Sequence, residues 1–348
     1  MHLYDFWFGV IAVLWIGYFV LEGFDFGVGM LIRFLGRDDT ERRVALNTVG
    51  PLWDGNEVWL LTAGGATFAA FPDWYATLFS GCYLPLLLVL VALIVRGVAF
   101  EYRGKRDSDS WRLGWDRALL VGSAVPALLW GVAFANVVRG VPIDAHKAYT
   151  GGFFNLLNPY ALLGGITTLS VFLLHGALFV SLKTGGAVRE RAHRLAGRLF
   201  PFVVPVAAGF LVWTLAQRWQ PWAVPAVAAA AIGLLAAWYA DRAGRDGVAF
   251  AASAIAIGAT VVALFASLYP AVMPSSTSSA FDLTVSNAAS SSYTLTVMTW
   301  VAVLGTPVVV AYQAWSVWVF RKRLGPEDIP DVSEQRLPES AAAPAARP

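Results

Sequence analysis

The sequence predicts an all-α polytopic membrane protein, and three observations carry that prediction. Of the 348 residues, 57% are hydrophobic and only 14% are charged, whereas soluble proteins carry about 25% charged residues. Nine apolar runs approach or exceed the roughly 20 residues that span a bilayer. The segments between these runs alternate between rich and poor in Arg and Lys, as membrane topology requires. We therefore expect nine transmembrane helices.

The predicted spans follow one another closely along the chain. They cover residues 6–32, 52–72, 75–101, 117–138, 158–182, 199–217, 222–240, 248–269 and 293–320. The first run lacks a basic region before it and is long enough to span, so we interpret it as a signal anchor rather than a cleaved peptide. Gly23 and Gly27 have the small-xxx-small spacing that lets membrane helices pack closely. Residues 1–323 are thus expected to form one nine-helix membrane domain.

Two segments lack the pattern of a span. Residues 270–292 are rich in Ser, Ala and Thr and are expected to form an outer loop. Residues 324–348 are rich in Pro, Ala and Glu without apolar periodicity, which predicts a disordered cytoplasmic tail.

The distribution of positive charge predicts the orientation in the membrane. The basic set comprises Arg33, Arg37, Arg42 and Arg43, then Arg103, Lys105, Arg106, Arg112 and Arg117, then Lys183, Arg189, Arg191, Arg194 and Arg198, then Arg242 and Arg245, and finally Arg321, Lys322 and Arg323. The opposite segments contain only Arg139, Lys147 and Arg218. By the positive-inside rule the N-terminus lies outside and the C-terminus in the cytoplasm, which agrees with an odd number of spans. The net charge of +2 gives no reason to expect a nucleic-acid partner.

Ionisable residues gather in the inner halves of the first three predicted spans. They are Glu22, Asp25, Asp54, Glu57, Arg96 and Glu101, and Trp53 lies beside Asp54. Such residues are costly in a membrane and often mark a route for protons or cations, which is the interpretation we favour for the group. Structural alternatives remain for each residue: Asp54 suits a helix N-terminus, Arg96 can extend to the headgroups or neutralise Asp25 or Glu57, and Glu101 can pair with Arg103.

The sequence offers few ligands for a redox centre. Cys82 is the single cysteine, which excludes an intrachain disulfide and a multi-cysteine metal cluster. His175 is the one histidine within a predicted span, but a haem normally requires an opposing axial ligand. Only Met30 and Met298 lie in spans, and methionine is more often a packing residue. Haem ligation by His175 is therefore a minor alternative.

Several stretches closely resemble subunit II of the bacterial cytochrome bd-type quinol oxidases. They are Gly23–Gly29 (GFDFGVG), Arg33–Arg43 (RFLGRDDTERR), Pro51–Phe71 (PLWDGNEVWLLTAGGATFAAF), Phe79–Gly81, Arg96–Arg103, Gly131–Phe134, Phe153–Pro159, Met273–Thr277 and Leu295–Val303. They extend from the first predicted helix to the last. The region from about 184 to 260 is less characteristic, and the resemblance does not cover the tail.

The resemblance implies a terminal oxidase of the bacterial plasma membrane that oxidises quinol and reduces dioxygen to water, generating a proton gradient. Subunit I of the family carries two b haems, one d haem and the quinol site, so this chain is expected to bind no haem and to form a heterodimer with subunit I. The family architecture is two four-helix bundles plus one peripheral helix. A small accessory subunit and a structural quinone are further components that the resemblance leaves open.

The resemblance also gives the acidic residues a role. Asp25 and Asp54, with Trp53, match family positions associated with proton access to the partner's haem site, and Glu101 stands where relatives carry Asp. The proton path expected here comprises Asp54, Asp25, Glu57, Glu22, Arg96, Glu101 and Trp53. Two other classes remain as alternatives: a proton- or cation-coupled transporter, which would place its charges near the midplane of two similar halves, and a purely structural scaffold.

Overall fold

The computed structural model describes residues 2–329, which form eleven α-helices and one short β-hairpin. The helices are α1 (Leu3–Leu35), α2 (Asp39–Val49), α3 (Trp53–Ala70), α4 (Pro72–Gly81), α5 (Tyr83–Tyr102), α6 (Asp109–Arg139), α7 (Pro159–Lys183), α8 (Gly186–Gln217), α9 (Val224–Arg242), α10 (Asp246–Leu268) and α11 (Ser292–Val319). The hairpin pairs β1 (Ala271–Met273) with β2 (Leu283–Thr284) in antiparallel register.

Eight helices of the described chain are long and apolar enough to cross a membrane. They are α1 and α5 to α11. Helix α3, which corresponds to the second predicted span, has 18 residues and is not among the eight. Its first two turns contain Asp54, Asn56 and Glu57, and these polar residues lower its mean hydropathy. The prediction of nine spans therefore requires that α3 also crosses the membrane.

Two boundaries predicted from the sequence are wrong. The third predicted span, residues 75–101, is divided at Cys82 into α4 and α5. Pro85 lies in the first turn of α5 and has no N–H to donate to Gly81, so one continuous helix would lack a hydrogen bond at this point. The predicted loop 183–198 is mostly helical, because α8 begins at Gly186 and extends the apolar run by more than three turns.

Helix α1 lies at the centre of the fold and is buried along its second half. Glycines permit this burial, as the small-xxx-small spacing predicts. A Cβ atom added to Gly23 would lie 2.8 Å from the Phe172 ring, and one added to Gly27 would collide with the backbone of α7 at Phe172 and Gly176. The backbones of α1 and α7 therefore touch at Gly27 and Gly176, which fixes the rotation of α1 relative to its neighbours.

The connecting segments meet at two opposite ends of the bundle. At the first, which we call the arginine-rich end, Arg103 binds Asp116 at 2.6 Å and Asp39 at 2.8 Å, and Arg191 binds Glu41 at 2.6 Å. At the second, the serine-rich end, the residues after β1 pair with Val141 in the loop that follows α6, and the N–H of Ser290 donates to the carbonyl of Ala70 at the end of α3. Lys147 binds Asp73 there at 2.6 Å. The alternation of basic and neutral segments thus corresponds to two ends of one structure.

The residues that follow α11 pack against the arginine-rich end. The backbone of Leu324 pairs with Thr184, and the N–H of Leu324 donates to the carbonyl of Lys183 at 2.8 Å. Arg323 binds Asp246 at 2.7 Å, and Ile329 is buried. The first residues of the predicted tail are therefore ordered. The rest of that prediction, residues 330–348, lies outside the described residues.

Candidate functional site

Glu22 and Asp25 lie on the buried half of α1, and neither carboxyl group is accessible to solvent. They are three residues apart and therefore lie on one helix face, directed towards α3 and α5. The close approach of α1 and α7 at Gly27 closes the opposite side. The site is thus built between three helices, as the first three predicted spans indicated.

Arg96 of α5 joins two of the acids. Its Nη1 donates to Glu22 Oε1 and, at 2.7 Å, to Glu57 Oε1 of α3. The guanidinium group is completely buried and lies between the rings of Phe26 (5.0 Å) and Phe100 (5.3 Å). The alternative in which Arg96 extends to the headgroups is therefore wrong. Arg96 pairs with Glu57, as one alternative had it, and with Glu22, but not with Asp25.

Asp25 is held by an amide instead of a cation. Asn56 Nδ2 donates to Asp25 Oδ2 at 2.7 Å and lies 3.5 Å from the carbonyl oxygen of Leu21. Asn56 Oδ1 accepts a hydrogen bond of 3.1 Å from Nε2 of Gln313 on α11. Asn56 is fully buried and Gln313 half-buried. A chain of hydrogen bonds thus extends from the last helix to the centre of the first.

The remaining predicted site residues lie at the edge of the cluster or outside it. Asp54 is exposed in the first turn of α3 and makes no hydrogen bond or ion pair with another described residue. Trp53 stacks on Phe100, with ring centroids 5.0 Å apart, and so covers Arg96 on the side of the arginine-rich end. Glu101 is exposed, and no hydrogen bond or ion pair joins it to the cluster. It does not pair with Arg103, which binds Asp116 and Asp39 instead.

His175 has a structural environment. Its Nδ1 lies 2.7 Å from Ser253 Oγ and its Nε2 lies 3.1 Å from the carbonyl oxygen of Val20. The ring stacks on Phe250 with centroids 4.6 Å apart. Because both ring nitrogens are occupied by the chain, His175 does not fit the role of a haem ligand. Residues 2–329 also contain no group of three or more His, Cys, Asp or Glu residues that could hold a metal ion.

Three functional candidates were missed in the sequence. Asn56 lies within the acidic stretch but is uncharged, and Gln313 is the lone amide in the apolar run of α11. Tyr18 is one turn before Glu22, fully buried, and its hydroxyl accepts a hydrogen bond of 3.1 Å from Trp130. A polar residue within a span is itself a signal of a buried partner, and that signal was available for Gln313.

Comparisons with known proteins agree on one family. Residues 3–320 match the family described as "Cytochrome bd terminal oxidase subunit II". The chain is 44% identical over 327 residues to cytochrome bd ubiquinol oxidase subunit 2 of Bacillus subtilis (strain 168), covering 92% of this chain and 97% of that protein. It is 39% identical over 365 residues to cytochrome bd-I ubiquinol oxidase subunit 2 of Escherichia coli (strain K12), covering 93% of this chain and 95% of that protein.

A solved structure has the same fold. The chain is similar to a chain from the structure of the bd oxidase of Geobacillus thermodenitrificans, with a TM-score of 0.73 over 92% of this chain and 100% of that one. The sequence identity in that comparison is 17%, so it supports the fold alone. The sequence relatives are all named as oxidase subunits, which favours the oxidase hypothesis over the transporter and the scaffold.

Proposed function

The chain belongs to the family of cytochrome bd terminal oxidase subunit II, a multi-pass protein of the bacterial inner membrane, and from this premise we propose that it is the haem-free second subunit of a quinol oxidase and supplies part of its proton route. Its partner is subunit I, which carries two b haems and one d haem. Reduction of dioxygen to water at that partner consumes protons. Residues of this chain bind those protons and pass them towards the partner.

The observation that carries the proposal is the imbalance of charge in the buried cluster. Glu22 and Glu57 share a single cation, Arg96, and Asp25 has an uncharged amide as its partner. If all three acids were ionised, two negative charges would remain uncompensated within a group whose central members are completely buried. Like charges at such short range cannot all ionise cheaply, so the cluster favours binding at least one proton.

The free atoms of the cluster support exchange of that proton. Glu22 Oε2, Asp25 Oδ1 and the Nε and Nη2 atoms of Arg96 are buried and have no hydrogen-bond partner in the described part of the chain. A buried polar atom without a partner costs about 1–3 kcal/mol, and more when it is charged, so all four atoms attract water, and the two carboxyl oxygens can also bind a proton. Each of these two carboxyl groups thus has one oxygen in a fixed bond and one oxygen available for exchange.

Asp54 is the proposed first acceptor of protons. It is exposed at the start of α3, three residues before Glu57 on the same helix face. Trp53 shapes the path, because its ring lies over Phe100 and limits access to Arg96. Glu101 remains only an outer group, since it is exposed and unconnected to the cluster. The positive-inside rule makes the arginine-rich end cytoplasmic, so Asp54 would face the proton source.

We also propose how the chain is arranged in the membrane. The eight long apolar helices and α3 together form nine spans, with the N-terminus outside and the C-terminus in the cytoplasm. The spans form two four-helix bundles plus one peripheral helix. The peripheral helix is α11, because only 6% of its span is buried in the described chain. The exposed stripe of α3 combines Asp54 and Thr62 with the apolar residues Val58, Leu61 and Phe68, and we expect this mixed surface to contact subunit I. A small accessory subunit and a structural quinone belong to this proposal only as expectations from the family.

Asp54→Asn tests the proton role in the intact complex. The change keeps the size and hydrogen bonding of the side chain but removes titration, so assembly and haem content should be retained. Quinol oxidase turnover should fall at least tenfold, and oxygen should reoxidise the reduced haems more slowly at the proton-coupled steps. Leu60→Ala, on the same helix without a titratable group, is the packing control. Wild-type turnover in an assembled Asp54→Asn complex would refute the role, and loss of the complex would favour a structural one.

A further inference from the structure

The hydrogen-bond chain from Gln313 through Asn56 to Asp25 has a defined direction. The carbonyl oxygen of Leu21 can only accept, and it lies 3.5 Å from Nδ2 of Asn56. Rotating the amide by a half-turn would place Oδ1 against that carbonyl, so the NH₂ group must face Leu21 and Asp25. Oδ1 therefore faces α11, where it accepts from Gln313 at 3.1 Å. The two amides thus have one compatible orientation.

This direction distinguishes the two oxygens of Asp25. Oδ2 accepts the 2.7 Å hydrogen bond from Asn56, and it therefore presents a lone pair and not a proton to that neighbour. Oδ1 is buried and has no partner among the described residues. A proton taken up by Asp25 is consequently bound at Oδ1.

We propose that Asn56 and Gln313 are positioning residues for proton exchange at Asp25, an inference that rests on the proposed function. They occupy Oδ2, keep the carboxyl plane fixed and leave Oδ1 as the exchanging atom. Gln313 also strengthens Asn56 as a donor, because donation into its Oδ1 polarises the amide. Since Gln313 lies on the peripheral helix, the placement of α11 sets how strongly Asp25 is held.

The other charged and titratable groups near Asp25 come from four helices and do not duplicate this role. Arg96 of α5 is bonded to Glu22 of α1 and Glu57 of α3. His175 of α7 is bonded to Ser253 and to the carbonyl of Val20. Removing the Asn56 donor therefore removes the one hydrogen bond from a described side chain that favours the ionised form of Asp25. The carboxyl group should then keep its proton to higher pH.

The experiment uses the purified oxidase complex with the variants Asn56→Leu, Gln313→Leu and Asp25→Asn. Thr296→Val is the matched control, because this hydroxyl on α11 donates at 2.8 Å to Ser292 of its own helix. Infrared difference spectra between acid and alkaline pH follow the carboxyl C=O stretch, and Asp25→Asn identifies the band of Asp25. Oxidase turnover is measured across the same pH range.

In Asn56→Leu the Asp25 band should change frequency and its titration midpoint should rise by about one pH unit, as expected for one lost hydrogen bond to a charged group. The pH profile of turnover should shift in the same direction. Gln313→Leu should show a smaller shift of the same sign, and it serves as the decisive variant should Asn56→Leu not assemble. Thr296→Val should match the wild type.

Two results would overturn the inference and they are distinguishable. An identified Asp25 band that is unchanged in every amide variant that assembles refutes the positioning role, while the proposed proton route remains. Wild-type turnover in Asp25→Asn, or no titrating band assigned to Asp25, refutes the part of the proposed function that involves Asp25 and the positioning role with it.

Discussion

Replacing Arg96 with Met tests whether a buried cation holds the acid cluster together. Met is similar in length and remains apolar between Phe26 and Phe100, but it leaves Glu22 buried without a counter-charge. Removing one partner of a buried ion pair costs about 3–5 kcal/mol. The lost contact of the guanidinium with two aromatic rings adds about 1 kcal/mol. We expect Arg96→Met to destabilise the protein by about 4–6 kcal/mol.

A second substitution separates charge from packing. Glu22→Gln removes the charge that Arg96→Met would leave stranded, so the double variant should be more stable than Arg96→Met alone. Groups in direct contact typically couple by about 0.5–3 kcal/mol, and a coupling in the upper half of that range is expected for this bond. Glu22→Gln alone should be milder than Arg96→Met, because Arg96 keeps its 2.7 Å bond to Glu57.

Thermal unfolding of the four purified complexes, followed by tryptophan fluorescence at one protein concentration and one pH, measures these differences. The expected order of midpoints is wild type, Glu22→Gln, the double variant and Arg96→Met. Additive effects of the two substitutions, or a double variant that unfolds below Arg96→Met, would refute the reasoning that Arg96 compensates Glu22.

Three further predictions concern packing, pH and topology. Gly27→Val should prevent the contact of α1 with α7 and abolish assembly measured by co-purification with subunit I. Gly9→Val should be tolerated, because no atom of residues 2–329 lies within 4 Å of a Cβ added there. Burial raises the pKa of Glu41, but the hydrogen bonds and charges of Arg191 and Arg37 together lower it by more, so the pKa lies below its usual value. A lowered pKa contributes stability above the unfolded-state value and loses it as pH falls through the folded-state value. Glu41→Gln should therefore lower the thermal midpoint most at neutral pH and progressively less as the pH falls below the unfolded-state value. An equal loss at neutral and acid pH would contradict this ion pair. To test the topology, Cys82 is replaced and single cysteines are introduced into the loops. Cysteines in 139–157 or 270–292 should react with an impermeant reagent from outside intact cells, whereas those in 33–51, 102–117 or 183–198 should not. Labelling of 102–117 from outside would reverse the topology.

The depth of the acidic cluster was predictable from the sequence, but its pairing was not. Hydropathy and loop charge place Glu22, Glu57 and Arg96 at the same level of three helices, and the structure brings them into contact. Which acid meets Arg96 depends on the rotation of each helix, and for α1 this rotation is fixed by the contact between Gly27 and α7. Glu101 follows Arg96 by five residues, about 140° around the helix, so it lies on a different face and is exposed.

Other features could not be predicted because they depend on tertiary partners. Membrane helices tolerate proline, so Pro85 alone did not show that the helix divides at Cys82. Gln313 is separated from Asn56 by 257 residues, and nothing local indicates that the two amides meet. Residues 183–198 are basic enough to resemble a loop, yet α8 continues through them because their side chains reach Glu41, Asp241 and Asp246.

The attachment of residues 320–329 has a consequence for the order of folding. These residues follow every helix that they contact, so they leave the ribosome after α7 and α10 have been inserted. Lys183 donates to the carbonyls of Phe320 and Lys322, and Arg323 adds a second cation to Asp246, which already binds Arg189. Before residues 320–329 attach, Lys183 lacks these acceptors, and α11 has only its sparse contacts with α1 and α3. Closure of the arginine-rich end is therefore a late step of biogenesis, and it anchors α11, the least buried of the eight long apolar helices in the described chain.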